Sequence, residues 1–519
     1  MHDLLTCPFV PIERSDGRDS VSLPQLYAEL VADRIEAFPG LGAHQAQAWY
    51  QFLAQVGALA LLRADWDGAP PGDAETWRTL LAGLTPDCAD TAWSLVVADP
   101  TRPALLQPPT QVFDRFKPLA ETPDGIDLPV TAKNHDRKQA VAIGNAPHHW
   151  LYALVTLQTQ QGYSGRGGFG VARMNGGLSA RVLVDRRQSR RWGPRVGRAI
   201  AMLLQRRVEV FERGDYGVFA NDNEGLALAW LVPWDAEQPL GTRALDPYFV
   251  EICRRIRLTA DAEGRIAALG RPSEKARVDA AAFSGNLGDP WVPVEPGNGK
   301  ALTVSANGFD YRLAHRILLA SDFQAPLALK DLPGERDRDS EIHMAVLVRG
   351  QGKTEGLHER VIKLPSRIAA ALSPEDEDDE DDTDRLTLRQ VSKHMVEQAG
   401  DARRVLRQAM IVYWQGPEQP DFQSKCADPV TQRLDRHLDE RFFDVLFEGN
   451  RDGLDARATE TAWQRFLVQA ALDLAGEVWA GSAAPTVRRE KARAASEAVL
   501  WGGLRRHLTL AFDDKEDAA

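Results

Sequence analysis

The stretch Glu375-Asp-Glu-Asp-Asp-Glu-Asp-Asp-Thr-Asp384 divides the chain, and nine of its ten residues are acidic. Carboxylates this dense repel one another and bring no apolar surface to bury, so 373–386 reads as a solvated acidic linker. Directly downstream, Met395, Val396, Ala399, Ala402, Val405, Leu406, Ala409 and Met410 recur at three- and four-residue steps, the repeat of one buried helix face. Three more helices are expected around Leu438–Phe447, Ala462–Trp479 and Val487–Leu508, with Gly449–Gly453 and Gly481–Pro485 as breakers. Residues 387–519 are therefore expected to form a four-helix bundle.

Upstream of the acidic stretch the signals are mixed. Helical patterns at Leu23–Ile35, Ala43–Leu62, Trp150–Gln160 and Val196–Arg207 alternate with short strand-like runs at Arg181–Val184, Leu226–Val232 and His343–Val348. Residues 1–372 thus read as one large, irregular α+β domain, with no internal repeat.

The chain has 519 residues, 44% of them hydrophobic and 26% charged. That excludes a single small binding module and a largely disordered chain. No apolar run is long enough to span a bilayer, and Met1 to Val10 has neither a basic nor an apolar leader region, so the expectation is a cytoplasmic protein without membrane contact. Cys7, Cys88, Cys253 and Cys426 lie far apart with no CxxC pairing. Neither a disulfide framework nor a thiolate metal site is expected.

The net charge of −12 argues against a protein that coats nucleic acid non-specifically. Between Thr131 and Arg213, however, fifteen Lys and Arg face four Asp and Glu, a local net charge of +11. Thirteen of the fifteen are Arg, the side chain suited to bidentate phosphate contacts. One reading is a polyanion docked on a basic face; the other is a solvated basic face balanced by the acidic linker.

Inside this region lies Gly162-Tyr-Ser-Gly-Arg-Gly-Gly-Phe-Gly170, flanked by Arg166 and Arg173. Glycines let backbone amides approach a phosphate or base edge closely, although such runs also serve merely as turns. The polar run Thr131-Ala-Lys-Asn-His-Asp-Arg-Lys-Gln139 offers Lys133, Asn134 and His135 as donors to base edges. It could equally be a surface loop without a ligand.

Three motifs invite an enzymatic reading and do not support it. Gly350-Gln-Gly-Lys-Thr354 looks like the end of a phosphate-binding loop, but the spacing requires glycine at 347, which is Leu. His148-His149 lacks a third ligand at a helical or strand spacing. Asp435, His437 and Glu440 fall short of the converging carboxylates of a two-metal nuclease and read as an outer helix face with an Arg436–Glu440 pair. No catalytic residue, metal or cofactor is expected.

The opening Phe9-Val-Pro-Ile-Glu-Arg-Ser-Asp-Gly17, with Val21-Ser-Leu23 and Leu26-Tyr27, resembles the start of the CasA family, the large subunit of type I-E CRISPR Cascade complexes. The polar loop, the amphipathic Trp150–Gln160 helix, the glycine-rich run, Gly350-Gln-Gly-Lys-Thr-Glu-Gly-Leu-His-Glu-Arg360 and the helical C-terminal segment follow in that family's order. The resemblance implies a mixed N-terminal domain, a C-terminal four-helix bundle and no nuclease activity. It implies recognition of the protospacer-adjacent motif (PAM) in double-stranded DNA, help in opening the duplex for R-loop formation by the guide RNA, and recruitment of a helicase–nuclease. The implied partners are the crRNA-containing Cascade subunits (backbone, small and guide-end-capping).

By position, Lys133, Asn134 and His135 fall in the family's first DNA-sensing loop. Gly167, with Arg166, Gly168 and Arg173 around it, falls at the glycine contact to the minor groove. Lys275 falls near the lysine finger, and Gln351 and Lys353 near the duplex-splitting wedge. Members with cysteine pairs resembling a zinc site differ from this chain, which has none. Two rival readings are a ribonucleoprotein scaffold that binds nucleic acid non-specifically, and an unrecognised nuclease or NTPase.

Overall fold

The computed structural model describes the chain except for residues 128–143, 177–178, 213–218, 220–223, 236–237, 298, 337, 351–352, 373–382, 449–454, 482–485 and 514–519. Two compact units emerge. The first comprises Met1–Phe309, Phe323–Glu335 and Ser340–Lys363; the second comprises Asp310–Asp322, Arg336–Asp339 and Leu364–Ala519. The expected mixed α+β architecture with a helical C-terminal region is present.

The first unit begins with a hairpin, β1 (Val10–Arg14) and β2 (Gly17–Val21), followed by helices α1 (Leu23–Val31), α2 (Ala43–Arg63) and α3 (Ala74–Gly83). Strand β3 (Lys117–Ala120) precedes α4 (Pro147–Gln160), β4 (Leu183–Arg187), α5 (Trp192–Gln205) and α6 (Arg207–Glu212). Short strands β5 (Leu226–Leu228) and β6 (Leu240–Gly241) lead to β7 (Leu245–Val250), β8 (Arg255–Ala260), β9 (Ile266–Arg271) and β10 (Val278–Asp279). The long strands β11 (Ser340–Gly350) and β12 (Lys353–Leu364) come last. Two three-stranded sheets result, ordered β12-β11-β4 and β3-β9-β8.

Helices α2 and α4 form the centre. In α4 every residue from Trp150 to Gln160 is buried, so the helix read from the sequence as amphipathic is instead enclosed on all sides. Its buried threonines and glutamines survive burial because each finds a partner. Thr156 and Thr159 donate back to Tyr152 O and Val155 O, both at 2.8 Å, and Gln160 donates to Gln51 Oε1 at 2.6 Å. Gln158 accepts from the Cys253 and Arg254 amides and donates to Leu106 O and Arg254 O, all within 2.8–3.0 Å.

The second unit holds α7 (Tyr311–Leu318), α8 (Ser366–Ala371), α9 (Thr383–Gln415), α10 (Asp428–Glu448), α11 (Ala456–Gly481) and α12 (Thr486–His507). The last four are the expected helices, and α9 packs against the other three. Met395, Ala399, Ala402, Leu406, Ala409 and Met410 are fully buried, as their spacing predicts. Polar ties cross the bundle from Trp463 Nε1 to Met395 O at 2.9 Å and from Ser496 Oγ to Ala409 O at 2.7 Å. Helix α9 starts at Thr383, so the end of the predicted 373–386 linker is its first turn; residues 373–382 lie outside the described residues.

None of the described helices is long and apolar enough to cross a membrane.

Candidate nucleic-acid interface

The glycine-rich run leaves the buried end of α4 and returns on itself. Val171 N donates to Gln161 O, Ser164 N to Gly168 O and Gly168 N to Gly165 O, each at 2.9 Å. At Gly170 a Cβ would sit 2.8 Å from Gly162 C and Tyr163 N, so the ends of the loop pass too closely for a side chain. Gly167 has φ +79°, a Cβ there would lie 2.5 Å from Pro272 Cβ, and its carbonyl accepts from Ser273 N at 3.0 Å. This contact ties the loop to the segment carrying Lys275.

Arg254 holds the loop from beneath. Its guanidinium donates to Phe169 O, to Gly162 O at 3.0 Å and to Ser164 Oγ at 3.0 Å, spanning both ends of the run. The Arg254 backbone is in turn gripped by Gln158. A rigid helix thus sets the position of a short glycine loop through one buried amide side chain.

On one side of the loop lies a hollow of about 1000 Å³. Lys117, Arg166, Arg254, Arg255, Arg271 and Arg349 line it, and no Asp or Glu is among the described lining residues. Strand pairing creates this concentration: Lys117 sits opposite Gly270, and Arg255 directly opposite Arg271. Arg255 is compensated by Asp235 at 3.4 Å. Arg271 Nη1 and Arg349 Nε and Nη1 are enclosed without a hydrogen-bond partner among the described residues. Burial, reinforced by Arg254, holds the Arg349 guanidinium below its ordinary pKa. On the other side, a hollow of about 510 Å³ is lined by Tyr163, Asn175, Glu274 and Lys275, among others.

Of the expected site residues, the structure brings Arg166, Gly167, Gly168 and Lys275 to these two hollows. Arg166 and Lys275 are exposed. Lys133, Asn134, His135 and Gln351 lie outside the described residues, and Lys353 is described only as the first residue of β12.

Arg173 requires correction. It is 1% exposed, with its guanidinium 3.8 Å from the Phe249 ring centroid, donating to Phe249 O and Pro247 O and facing Glu251 and Asp289. Desolvation leaves no route from this side chain to a duplex, and it acts as a core cation.

Among the described residues the arginine-rich face is also largely cancelled, with Arg166 an exception; Lys133, Arg137, Lys138 and Arg213 lie outside the described residues. Arg181 pairs with Asp289 at 2.5 Å, Arg186 with Asp331, Arg187 and Arg190 with Glu341, Arg191 with Asp33, Arg195 with Asp185, Arg198 with Glu335 and Arg207 with Asp246. Most of these carboxylates come from outside residues 131–213, which is why a window count overstated the basic surface. The accessible basic site is built instead from Lys117, Arg254, Arg271 and Arg349, which sequence reading missed. Arg271 stands four residues before Lys275, and that proximity was the available signal.

The suspected enzymatic motifs resolve into structure. Gly350 and Lys353 lie on consecutive sheet strands, whereas a nucleotide-binding loop would lead into a helix. Asp435 pairs with Arg312 at 2.7 Å and Arg403 at 2.9 Å, while the expected Arg436–Glu440 pair does not form. The His148 and His149 rings lie 4.1 Å apart, and burial with the neighbouring His149 lowers the His148 pKa to about 4. Among the described residues no group of three or more His, Cys, Asp or Glu could hold a metal ion.

The family model for CRISPR-associated protein Cse1 matches residues 3–474. The chain belongs to the Cse1 family. Three solved Cse1 structures share its fold over nearly their whole length. That of Thermobifida fusca Cse1 has a TM-score of 0.66 at 16% identity, covering 98% of each chain. Thermus thermophilus CasA (Cse1) gives 0.59 at 18%, covering 97% of this chain and 99% of that one. Cse1 from Acidimicrobium ferrooxidans gives 0.60 at 16%, covering 98% and 99%. No curated protein sequence matches the chain. The family suggested by the opening residues and motif order is thus the Cse1 family, reached although the charge argument beside it fails.

Proposed function

We propose that this Cse1 chain is the large subunit of a type I-E Cascade complex, that it recognises the PAM in double-stranded DNA, and that it has no catalytic activity of its own. One observation carries the reading: Gly167 and the Lys275 segment are joined by a backbone hydrogen bond beside a basic hollow with no described carboxylate in its lining. A glycine backbone and a single lysine fit a groove floor, while the hollow suits the adjoining phosphates. Minor-groove readout is degenerate and tolerates several related motifs. Base pairing with the guide RNA supplies the remaining specificity, as in single-protein effectors to which this division of labour is analogous.

Lys133, Asn134 and His135 belong to the same reading as the first DNA-sensing loop, with Gln351 and Lys353 as the wedge that helps separate the strands. Recruitment of a helicase–nuclease after R-loop formation completes it, as does work in the cytoplasm with crRNA-containing subunits. The test is reconstitution with guide RNA and companion subunits on duplexes that differ only in the motif. Lys275→Ala should weaken motif-dependent binding by about 1–3 kcal/mol. Equal affinity for every motif favours a non-specific scaffold; divalent-metal-dependent cleavage by this chain alone favours a nuclease.

A further inference from the structure

We infer that the hollow behind the glycine loop is an oxyanion site that seats one phosphate group against Arg271 and Arg349, with Lys117 and Arg254 around it. The inference rests on the nucleic-acid reading for the source of that phosphate, but not for the existence of the site.

The fold leaves two enclosed guanidinium groups beside this hollow unsatisfied. Enclosed guanidinium N–H groups ordinarily have acceptors, because leaving them unpaired costs their full desolvation. Elsewhere in this unit Arg181, Arg186 and Arg198 each have a carboxylate against the guanidinium, even where one N–H stays unpaired, as at Arg181 Nη2 and Arg186 Nη2. At the hollow, Arg271 Nη1 and Arg349 Nε and Nη1 are unpaired and, among the described residues, no carboxylate forms an ion pair with either guanidinium. Arg271 also stands directly across β8–β9 from Arg255, a like-charge pairing that sheets normally avoid. Arg254 spends its donors on the loop and adds only positive potential.

Cations gathered without counter-charge around a space of about 1000 Å³ are arranged for an anion supplied from outside. The planar fork of arginine matches a tetrahedral oxyanion better than a lysine would. A nucleic-acid backbone phosphate and free inorganic phosphate share this chemistry.

The experiment titrates the full chain with inorganic phosphate at constant ionic strength, reading calorimetric heat and melting temperature, with chloride as control. Saturable binding of one phosphate per chain is expected. Arg349→Gln and Arg271→Gln should each weaken it at least tenfold, while raising the melting temperature in chloride because an uncompensated buried charge is removed. Arg271→Gln is read alone should Arg349→Gln fail to fold.

Competition then separates the sources. Phosphate that displaces duplex DNA from the reconstituted complex identifies a backbone phosphate as the occupant; phosphate that binds without displacing it identifies a free oxyanion ligand. Both outcomes keep the site. Absence of saturable phosphate binding by the unaltered chain overturns it, and motif-dependent duplex binding that persists in that case leaves the proposed function standing.

Discussion

Arg173 shows how little a residue's type says about its task. Its position beside the glycine run suggests a phosphate contact, yet it is locked among Glu251, Asp289 and the Phe249 ring. Arg173→Met should cost about 3–5 kcal/mol in denaturant unfolding, since it takes the paired cation from buried Glu251, whereas Asp289 keeps Arg181. Glu251 supplies a pH signature. Burial, opposed by Arg173, raises its pKa to about 7, and it accepts from the Ala172 amide at 2.5 Å. The unfolded carboxyl loses its proton near pH 4.5, whereas the folded one keeps it until about 7, so the folded state binds more protons between those values. This group's contribution to stability is therefore greatest below about pH 4.5 and falls as pH rises towards 7. Glu251→Gln should remove that slope, as read by melting temperature across pH 5–8.

At the scale of elements, the decisive contacts are close approaches that tolerate no extra atoms. In the bundle, a Cβ on Gly503 of α12 would lie 2.5 Å from Val405 Cγ1 of α9, and the short branched valine has no way to yield. Gly503→Ala should destabilise the bundle by about 1–3 kcal/mol, measurable by chemical denaturation. In the first unit, the Gln158–Arg254 relay predicts that Arg254→Ala speeds amide exchange across residues 162–170 while leaving exchange in α2 unchanged. Hydrogen–deuterium exchange of the free chain reads this without any DNA. The strong periodicity of 395–410 made the bundle legible from sequence, because a helix buried on one face writes a three-to-four repeat. The β8–β9 hairpin was missed: it alternates charged and apolar residues too briefly to announce itself, and its importance lies in what it pairs with.

For the whole molecule, the distribution of charge separates two expectations. If every excess cation of 131–213 met a phosphate, the net +11 of that window would imply a salt dependence with a slope near −10 in log affinity against log salt. Among the described residues the structure instead offers Lys117, Arg166, Arg271, Lys275 and Arg349 around the two hollows; even one phosphate for each would give no more than about −4 to −5, and one phosphate shared by the arginines of the larger hollow gives less. Neutralising these five in the reconstituted complex should reduce the measured slope by no more than that amount. Replacing Arg190 and Arg191, which are exposed but paired with Glu341 and Asp33, should leave it nearly unchanged.

The sequence by itself determined the mixed α+β class, the C-terminal helices and the family, because periodicity, breakers and motif order are local properties written along the chain. It also singled out the glycine run and Lys275. Only the tertiary structure decided which arginines face an outside anion. A charge is free or cancelled according to its neighbours in space, and the carboxylates that cancel Arg181, Arg186 and Arg198 stand more than a hundred residues away in sequence. The same holds for the basic hollow, whose walls come from β3, β8, β9 and β11 and meet only once the sheets have formed.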